Sequence, residues 1–163
     1  MCRNDIVGEL MFKFVSHNEN ETKKISSLLA SKLEQGDIVV LSGDLGSGKT
    51  KFTEGFLSYW ELENEISSPT FTIVNEHNKD NTNIYHFDVY RLNDLDEFYA
   101  IGGTEYFQNG ICIIEWGELI EDVLPQNYIK IIFSKDENDD NIRYLHFNAY
   151  GEKLTNILKE LEI

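Results

Sequence analysis

The sequence predicts an α/β fold, a single domain in which helices flank a mixed β-sheet. Three observations carry this. Residues 37–42, with the apolar segment 38–41, read as a core strand, and Ile111–Glu115, an apolar run ended by a carboxylate, reads as a strand buried on both faces. Stretches with helical periodicity alternate with them. Two further pairs of extended runs, each joined by a polar connection, read as β-hairpins and bring antiparallel neighbours into the sheet. At 163 residues the chain fits one domain that buries about two thirds of the surface its unfolded form exposes.

The elements follow in order. Residues 12–16 form the first strand. Residues 21–33 place Ile25, Leu28, Leu29 and Leu33 on one helical face, with Asn18 or Asn20 as the cap and Gly36 as the stop. The strand at 37–42 leads into a glycine-rich turn, and a helix is expected from Lys49 to about Trp60. The run Ser67-Ser68-Pro69-Thr70 breaks the chain, because Pro69 biases Ser68 away from helical geometry. Residues 71–76 and 83–88 read as a hairpin with a six-residue connection, 77–82. A short helix is expected at 95–101, capped by Asn93 or Asp94 and ended by Gly102-Gly103. The strand Ile111–Glu115 precedes a helical stretch, 116–123, which runs to Pro125. Residues 128–134 and Arg143–Ala149 make a second hairpin around the acidic turn 135–140, and 151–161 close the chain as a helix. There is no internal repeat and no low-complexity segment.

Composition narrows the function. The formal net charge is -15, from 29 acidic against 14 basic residues. That balance opposes a surface that grips nucleic acid, which needs clustered Lys and Arg. Only Arg3, Arg91 and Arg143 carry guanidinium groups, so a protein clamping several phosphates has little to use beyond a lysine and a metal. Cys2 and Cys112 form neither a disulfide framework nor a metal site, which suits a reducing, cytoplasmic compartment. No run approaches the roughly 20 apolar residues of a membrane span, so no membrane partner is expected. Residues 1–10 are too polar for a signal peptide. Residues 1–11 are expected to be a disordered extension, or to reflect a start at Met11, with the domain occupying 12–163.

The chemistry concentrates in Gly43-Asp44-Leu45-Gly46-Ser47-Gly48-Lys49-Thr50, a complete G-x-x-x-x-G-K-[ST] phosphate-binding loop, or Walker A motif, entered from a strand. Its glycines let the backbone curl so that successive N–H groups point at phosphate oxygens. Lys49 supplies a point charge to the β and γ phosphates, Thr50 offers its hydroxyl to Mg²⁺, and the helix that opens at Lys49 adds its positive end. The α/β expectation thereby sharpens to a P-loop NTPase-like sheet. Hydrolysis also needs a carboxylate for the metal or the attacking water. Glu115 ends an apolar strand and is the preferred metal-side acid; Asp88 ends an amphipathic, edge-side strand and is the candidate for orienting water or the metal's water shell. Each also reads as a plain strand-end acid. Thr70, in Ser68-Pro69-Thr70, is placed to sense the γ-phosphate, although a simple turn explains the same residues. His86 reads as a core histidine and Trp116 as packing. Arg91 serves equally as a stabiliser of phosphate charge or as a salt-bridge partner of Asp88 or Asp94.

Four motifs together resemble the TsaE (YjeE) family, small bacterial P-loop ATPases needed to form threonylcarbamoyladenosine in tRNA. They are the loop 43–50, Ser68-Pro69-Thr70-Phe71, His86-Phe87-Asp88-Val89-Tyr90-Arg91-Leu92 and Ile114-Glu115-Trp116-Gly117-Glu118, in family order and spacing. The resemblance extends from about Phe12 to the C-terminus. It implies that Thr50 and Glu115 ligate Mg²⁺, that Lys49 and the amides of Asp44, Leu45, Gly46, Ser47 and Gly48 hold the phosphates of ATP, and that Asp88 is needed for hydrolysis. It makes residues 68–71 a switch-like segment and, more loosely, sets the base near Glu19 and Thr22. Ser47 stands where the family usually has Ala, and Lys51 where a second Thr is common; neither side chain is required for phosphate contact. The implied partners are TsaB and TsaD, the latter being the subunit that modifies tRNA, with tRNA reached only through that complex. An acidic ATPase of this kind needs no basic stripe of its own.

The sequence leaves rival readings open. A small-molecule P-loop kinase shares the loop but typically uses several arginines. A GTPase is expected to read guanine with Asn-Lys-x-Asp, whereas Asn78-Lys79-Asp80-Asn81 ends in the wrong residue and sits in a hairpin. A non-catalytic module, in which nucleotide only switches an interaction, is the alternative from another class.

Overall fold

The computed structural model describes residues 10–44, 46–65, 73–90, 92 and 94–161. Seven strands form one mixed sheet: β1 (Leu10–Ser16), β2 (Ile38–Gly43), β3 (Val74–Lys79), β4 (Thr82–Asp88), β5 (Ile111–Glu115), β6 (Ile129–Lys135) and β7 (Arg143–Ala149). Their spatial order is β1-β7-β6-β2-β5-β4-β3. The centre is parallel, with β2 between β5 and β6 and with β5 also parallel to β4. Both margins are antiparallel, through β3–β4 on one side and β6–β7–β1 on the other. Fold class and single-domain architecture are as the sequence predicts.

Among the described residues there are five α-helices, α1 (Glu19–Ala30), α2 (Lys49–Ser58), α3 (Leu95–Ala100), α4 (Gly103–Asn109) and α5 (Glu152–Leu161). Alternation along the central strands decides which face each helix covers. Val39 and Leu41 of β2 point into a core with Ile25 and Leu29 of α1, Phe52 and Phe56 of α2, and Leu154 and Leu158 of α5. Ile38 and Val40 point the other way, towards Phe98 of α3, Phe107 of α4 and Ile120. Residues flanking the loop are thus fixed by packing on both faces. Among the described residues, no helix is long and apolar enough to cross a membrane.

Several expected boundaries move, for local reasons. Asn18 is the cap of α1: its side-chain oxygen accepts the Glu21 N–H at 2.9 Å, which starts the helix at Glu19. β1 already runs at Leu10, two residues before the expected start at 12. The first hairpin is tight, not six residues long. β3 continues to Lys79, and only Asp80 and Asn81 turn the chain, both in the left-handed region at φ 53° and 65°. Such a two-residue turn matches the strand twist, and Asp and Asn tolerate that conformation. Helix α4 was not expected; its Phe107 packs on Phe98 with ring centroids 5.8 Å apart. Residues Gly117–Val123 are a 3₁₀ segment entered from Trp116, itself left-handed at φ 65°. The switch-like 68–71, the first two residues of the expected strand 71–76, Leu45, Arg91 and residues 1–9 lie outside the described residues.

Candidate nucleotide site

Three adjacent parallel strands, β2, β5 and β4, end side by side, and the phosphate loop and both strand-end acids sit at or just beyond those ends. β2 runs into the glycine loop, Glu115 closes β5, and Asp88 closes β4 directly opposite Glu115 in the register. The carboxyl ends of parallel strands are where open α/β sheets bind ligands.

The loop has the backbone its motif demands. Gly43 adopts φ 139°, and a Cβ there would lie 2.6 Å from the Phe133 carbonyl oxygen. Gly48, at φ 112°, caps α2 without a side chain, leaving the helix N-terminus bare towards the loop. Lys49 folds back over this turn. Its Nζ donates to the carbonyl oxygens of Gly43 and of Asp44, the latter at 3.0 Å, and lies 3.9 Å from the centre of the Trp116 ring. The side chain is only 5% exposed. Loss of water lowers its pKa, against the pull of Glu115, Glu118, Asp44 and Asp88. Ser47 Oγ is buried without a hydrogen-bond partner among the described residues.

Glu115 is 6% exposed. Its Oε2 accepts from His86 Nε2 at 2.6 Å and from Thr53 Oγ1 at 3.3 Å. Asp88 is half-buried, and its Oδ1 accepts the Tyr90 N–H at 3.1 Å. Burial raises its pKa; the Tyr90 N–H opposes this, the Glu115 charge adds to it, and His86 and Lys49 oppose it.

All of this opens on one cavity of about 650 Å³. Its walls include Gly46, Gly48, Lys49 and Thr50 of the loop, Asp88 and Glu115 of the strand ends, and Glu19 and Thr22 of α1. These eight expected residues are therefore brought together. Asp44 and Ser47 are not part of the lining: the Asp44 carbonyl is turned to Lys49, and the Ser47 side chain is buried behind the loop. Leu45 and Thr70 are outside the described residues. None of Asn78, Lys79, Asp80 and Asn81 lines the cavity, which removes the structural basis for a guanine-reading sequence there.

Further residues, to which the sequence assigns other roles or none, join the site. Asn18, Asn20, Lys51 and Trp116 line it, as do Asp140 and Asn141 from the β6–β7 turn and Arg143 at the start of β7. His86 is a core residue as expected, but one that binds a site carboxylate. Two signals were present. His86 and Asp88 are two apart on one strand and so share a face, and Thr53 follows Lys49 by one helical turn. The β6–β7 turn carried no signal, since only the strand order brings it opposite α1.

The residues fit a nucleotide with its metal. A glycine loop at a bare helix N-terminus, with a lysine ammonium beside it, is built for phosphate. Among the described residues no group of three or more His, Cys, Asp or Glu is placed to hold a metal. The available donors, the Thr50 hydroxyl and the Glu115 carboxylate, suit an ion that keeps water and phosphate oxygens as its remaining ligands, as Mg²⁺ does.

Comparison with known proteins shows the family. The profile of the family described as "Threonylcarbamoyl adenosine biosynthesis protein TsaE" matches residues 16–144. The tRNA threonylcarbamoyladenosine biosynthesis protein TsaE of Bacillus subtilis (strain 168) is 40% identical over 150 residues, 91% of this chain and 92% of the relative. The protein of that name from Treponema pallidum (strain Nichols) is 39% identical over 118 residues, covering 72% of this chain and 87% of the relative. A solved structure, "Crystal structure of Bacillus subtilus YdiB", superposes with a TM-score of 0.74 at 36% identity, covering 94% of this chain and 95% of that one. With the loop, the strand-end acids and the sheet order in place, the chain belongs to the TsaE family.

Proposed function

We propose that this protein binds ATP with Mg²⁺, hydrolyses it, and thereby supports formation of N6-threonylcarbamoyladenosine in tRNA together with TsaB and TsaD homologues. The observation that carries the reading is the single cavity lined by Lys49, Thr50, Asp88 and Glu115. Family membership supports the pathway, and the names of the relatives match it.

In this reading the loop amides and Lys49 bind the phosphates, and the ammonium exchanges its two loop carbonyls for phosphate oxygens. Thr50 and Glu115 would hold the metal, which when bound offsets charge on the phosphates. Asp88 stands across the register from Glu115 and orients the attacking water, directly or through the metal's own water. Its raised pKa suits a group that handles a proton. With a net charge of -15 the protein alone holds tRNA poorly, so RNA is reached through the partners.

The test is ATP turnover with and without TsaB and TsaD, comparing wild type with Glu115→Ala. Wild type is expected to hydrolyse slowly alone and faster in the mixture, and Glu115→Ala to lose the stimulated activity. A variant as fast as wild type in the mixture refutes the metal-site assignment. Nucleotide binding with no turnover under any condition favours the non-catalytic module, and ATP consumption in proportion to an added acceptor favours a kinase.

A further inference from the structure

We infer that His86 is a positioning residue for Glu115: with Thr53 it clamps one carboxylate oxygen so that the other is presented to the metal side of the cavity. This rests on the proposed Mg²⁺–ATP reading.

Both side-chain hydrogen bonds to Glu115 land on the same atom. His86 Nε2 donates to Oε2 at 2.6 Å, and the one Thr53 hydroxyl proton is shared between Oε2 at 3.3 Å and the Lys49 carbonyl oxygen at 3.1 Å, which makes Thr53 the weaker of the two donors. The carboxylate is thus turned with Oε2 to the protein, and Oε1 is the oxygen left to face the cavity that Glu115 lines. The two clamping residues come from different elements, β4 and α2, so the carboxylate is held from the sheet and from the helix that carries Lys49 and Thr50.

Burial makes the clamp necessary. His86 is 2% exposed and Glu115 6%. A carboxylate so far removed from water is costly to keep unless N–H or O–H groups donate to it. Packing alone does not account for the histidine. Its Nδ1 is buried with no hydrogen-bond partner among the described residues, a cost that an apolar side chain of similar size avoids. What the imidazole adds is a donor at Nε2, aimed at Glu115. Strand geometry explains how one strand serves twice: His86 and Asp88 are two apart on β4 and share a face, and Asp88 is the register partner of Glu115. Donors behind a metal-binding side chain fix its orientation, and their loss typically weakens metal binding about 10- to 100-fold.

The experiment measures the apparent Mg²⁺ dissociation constant on the isolated protein saturated with a non-hydrolysable ATP analogue, and the analogue's affinity in EDTA. His86→Leu is expected to weaken Mg²⁺ by about 10- to 100-fold with the EDTA affinity unchanged. His86→Gln, which keeps a donor near the Nε2 position, is expected to restore most of that loss. Thr53→Val removes the second donor without changing volume and is expected to weaken Mg²⁺ severalfold. If His86→Leu does not fold by circular dichroism, the Thr53→Val and His86→Gln pair decides. An unchanged Mg²⁺ constant in His86→Leu, or in Thr53→Val where that variant decides, overturns the clamp. So does an equal loss with and without metal, which marks a merely structural histidine. If wild type itself shows no effect of Mg²⁺ on the analogue, the proposed metal site fails and not the clamp alone.

Discussion

The Lys49 ammonium sits 3.9 Å from the centre of the Trp116 ring, and Trp116 reaches that position from a left-handed backbone at φ 65°. A non-glycine residue there carries strain of about 1 to 2 kcal/mol, while a partly desolvated cation–π contact returns about 1 to 2 kcal/mol. The two nearly cancel, so the conformation is sustained by what the ring covers. Trp116→Gly and Trp116→Ala both lose the ring, but only the alanine keeps the strain. Urea unfolding should place the glycine variant above the alanine variant by about 1 kcal/mol, with both below wild type. An alanine variant more stable than the glycine variant contradicts the left-handed backbone.

Gly55 lies inside α2, where helix propensity alone favours alanine by about 1 kcal/mol. Its Cβ would meet the Lys23 Cα and carbonyl oxygen at 2.5 Å, which is backbone of α1 and cannot swing aside. Overpacking of this kind costs about 1 to 3 kcal/mol, and the rigid partner puts it at the upper end. Gly55→Ala is therefore expected to be destabilised by about 2 kcal/mol net in urea. A stabilised variant shows that α1 and α2 separate easily.

Cys112 is fully buried in β5, and burial pushes its thiol pKa up to about 12. The thiolate is the reactive form, so this side chain is inert at ordinary pH. In a Cys2→Ser background, iodoacetamide at pH 8 should leave the folded protein unlabelled by mass spectrometry and add one label after unfolding. Rapid native labelling indicates that β5 opens locally.

The turn that reaches the cavity is held by Asp136, which accepts from the Tyr144 hydroxyl and from the Asn138 and Asp139 N–H groups, at 2.9 Å and 3.0 Å for the last two. The Tyr144 hydrogen bond comes first among the causes that lower the Asp136 pKa. A carboxyl depressed in the folded state stabilises above its unfolded value and loses that contribution as pH falls through the folded one. An NMR titration should place Asp136 below about 3.9, the ordinary aspartate value, and Tyr144→Phe should move it up. No movement in the variant removes Tyr144 as the cause.

Residue pattern alone revealed what depends on neighbours in sequence. The β5 strand and its terminal Glu115 were legible because an apolar pentapeptide ending in an acid has few other uses. The loop was legible because its chemistry fixes residue types at fixed spacing. Helix α4 was not, since Gly103-Thr104-Glu105-Tyr106-Phe107 lacks a strong helical stripe and forms only because Phe107 finds Phe98. The six-residue hairpin connection failed because Asp80 and Asn81 can both turn left-handed, which lets His77 to Lys79 stay paired. At the site, the acids were found and their supports were not. Thr53 and His86 matter through contacts across 62 and 29 residues of chain; their spacing from Lys49 and Asp88 places them on the right faces, but it does not reveal that both meet Glu115.

The sheet order also dictates when during synthesis the site can exist. β5 emerges after both β2 and β4, yet it is the strand that lies between them. Until the ribosome has released Glu115, β2 and its phosphate loop have neither of their partner strands, β5 and β6, and no ladder joins them to the β3–β4 hairpin that carries Asp88. β1, the first described strand, waits longer, because its partner is β7. Such long-range pairing makes folding slow, and it makes nucleotide capture an event that must wait for β5 to join β2 and β4.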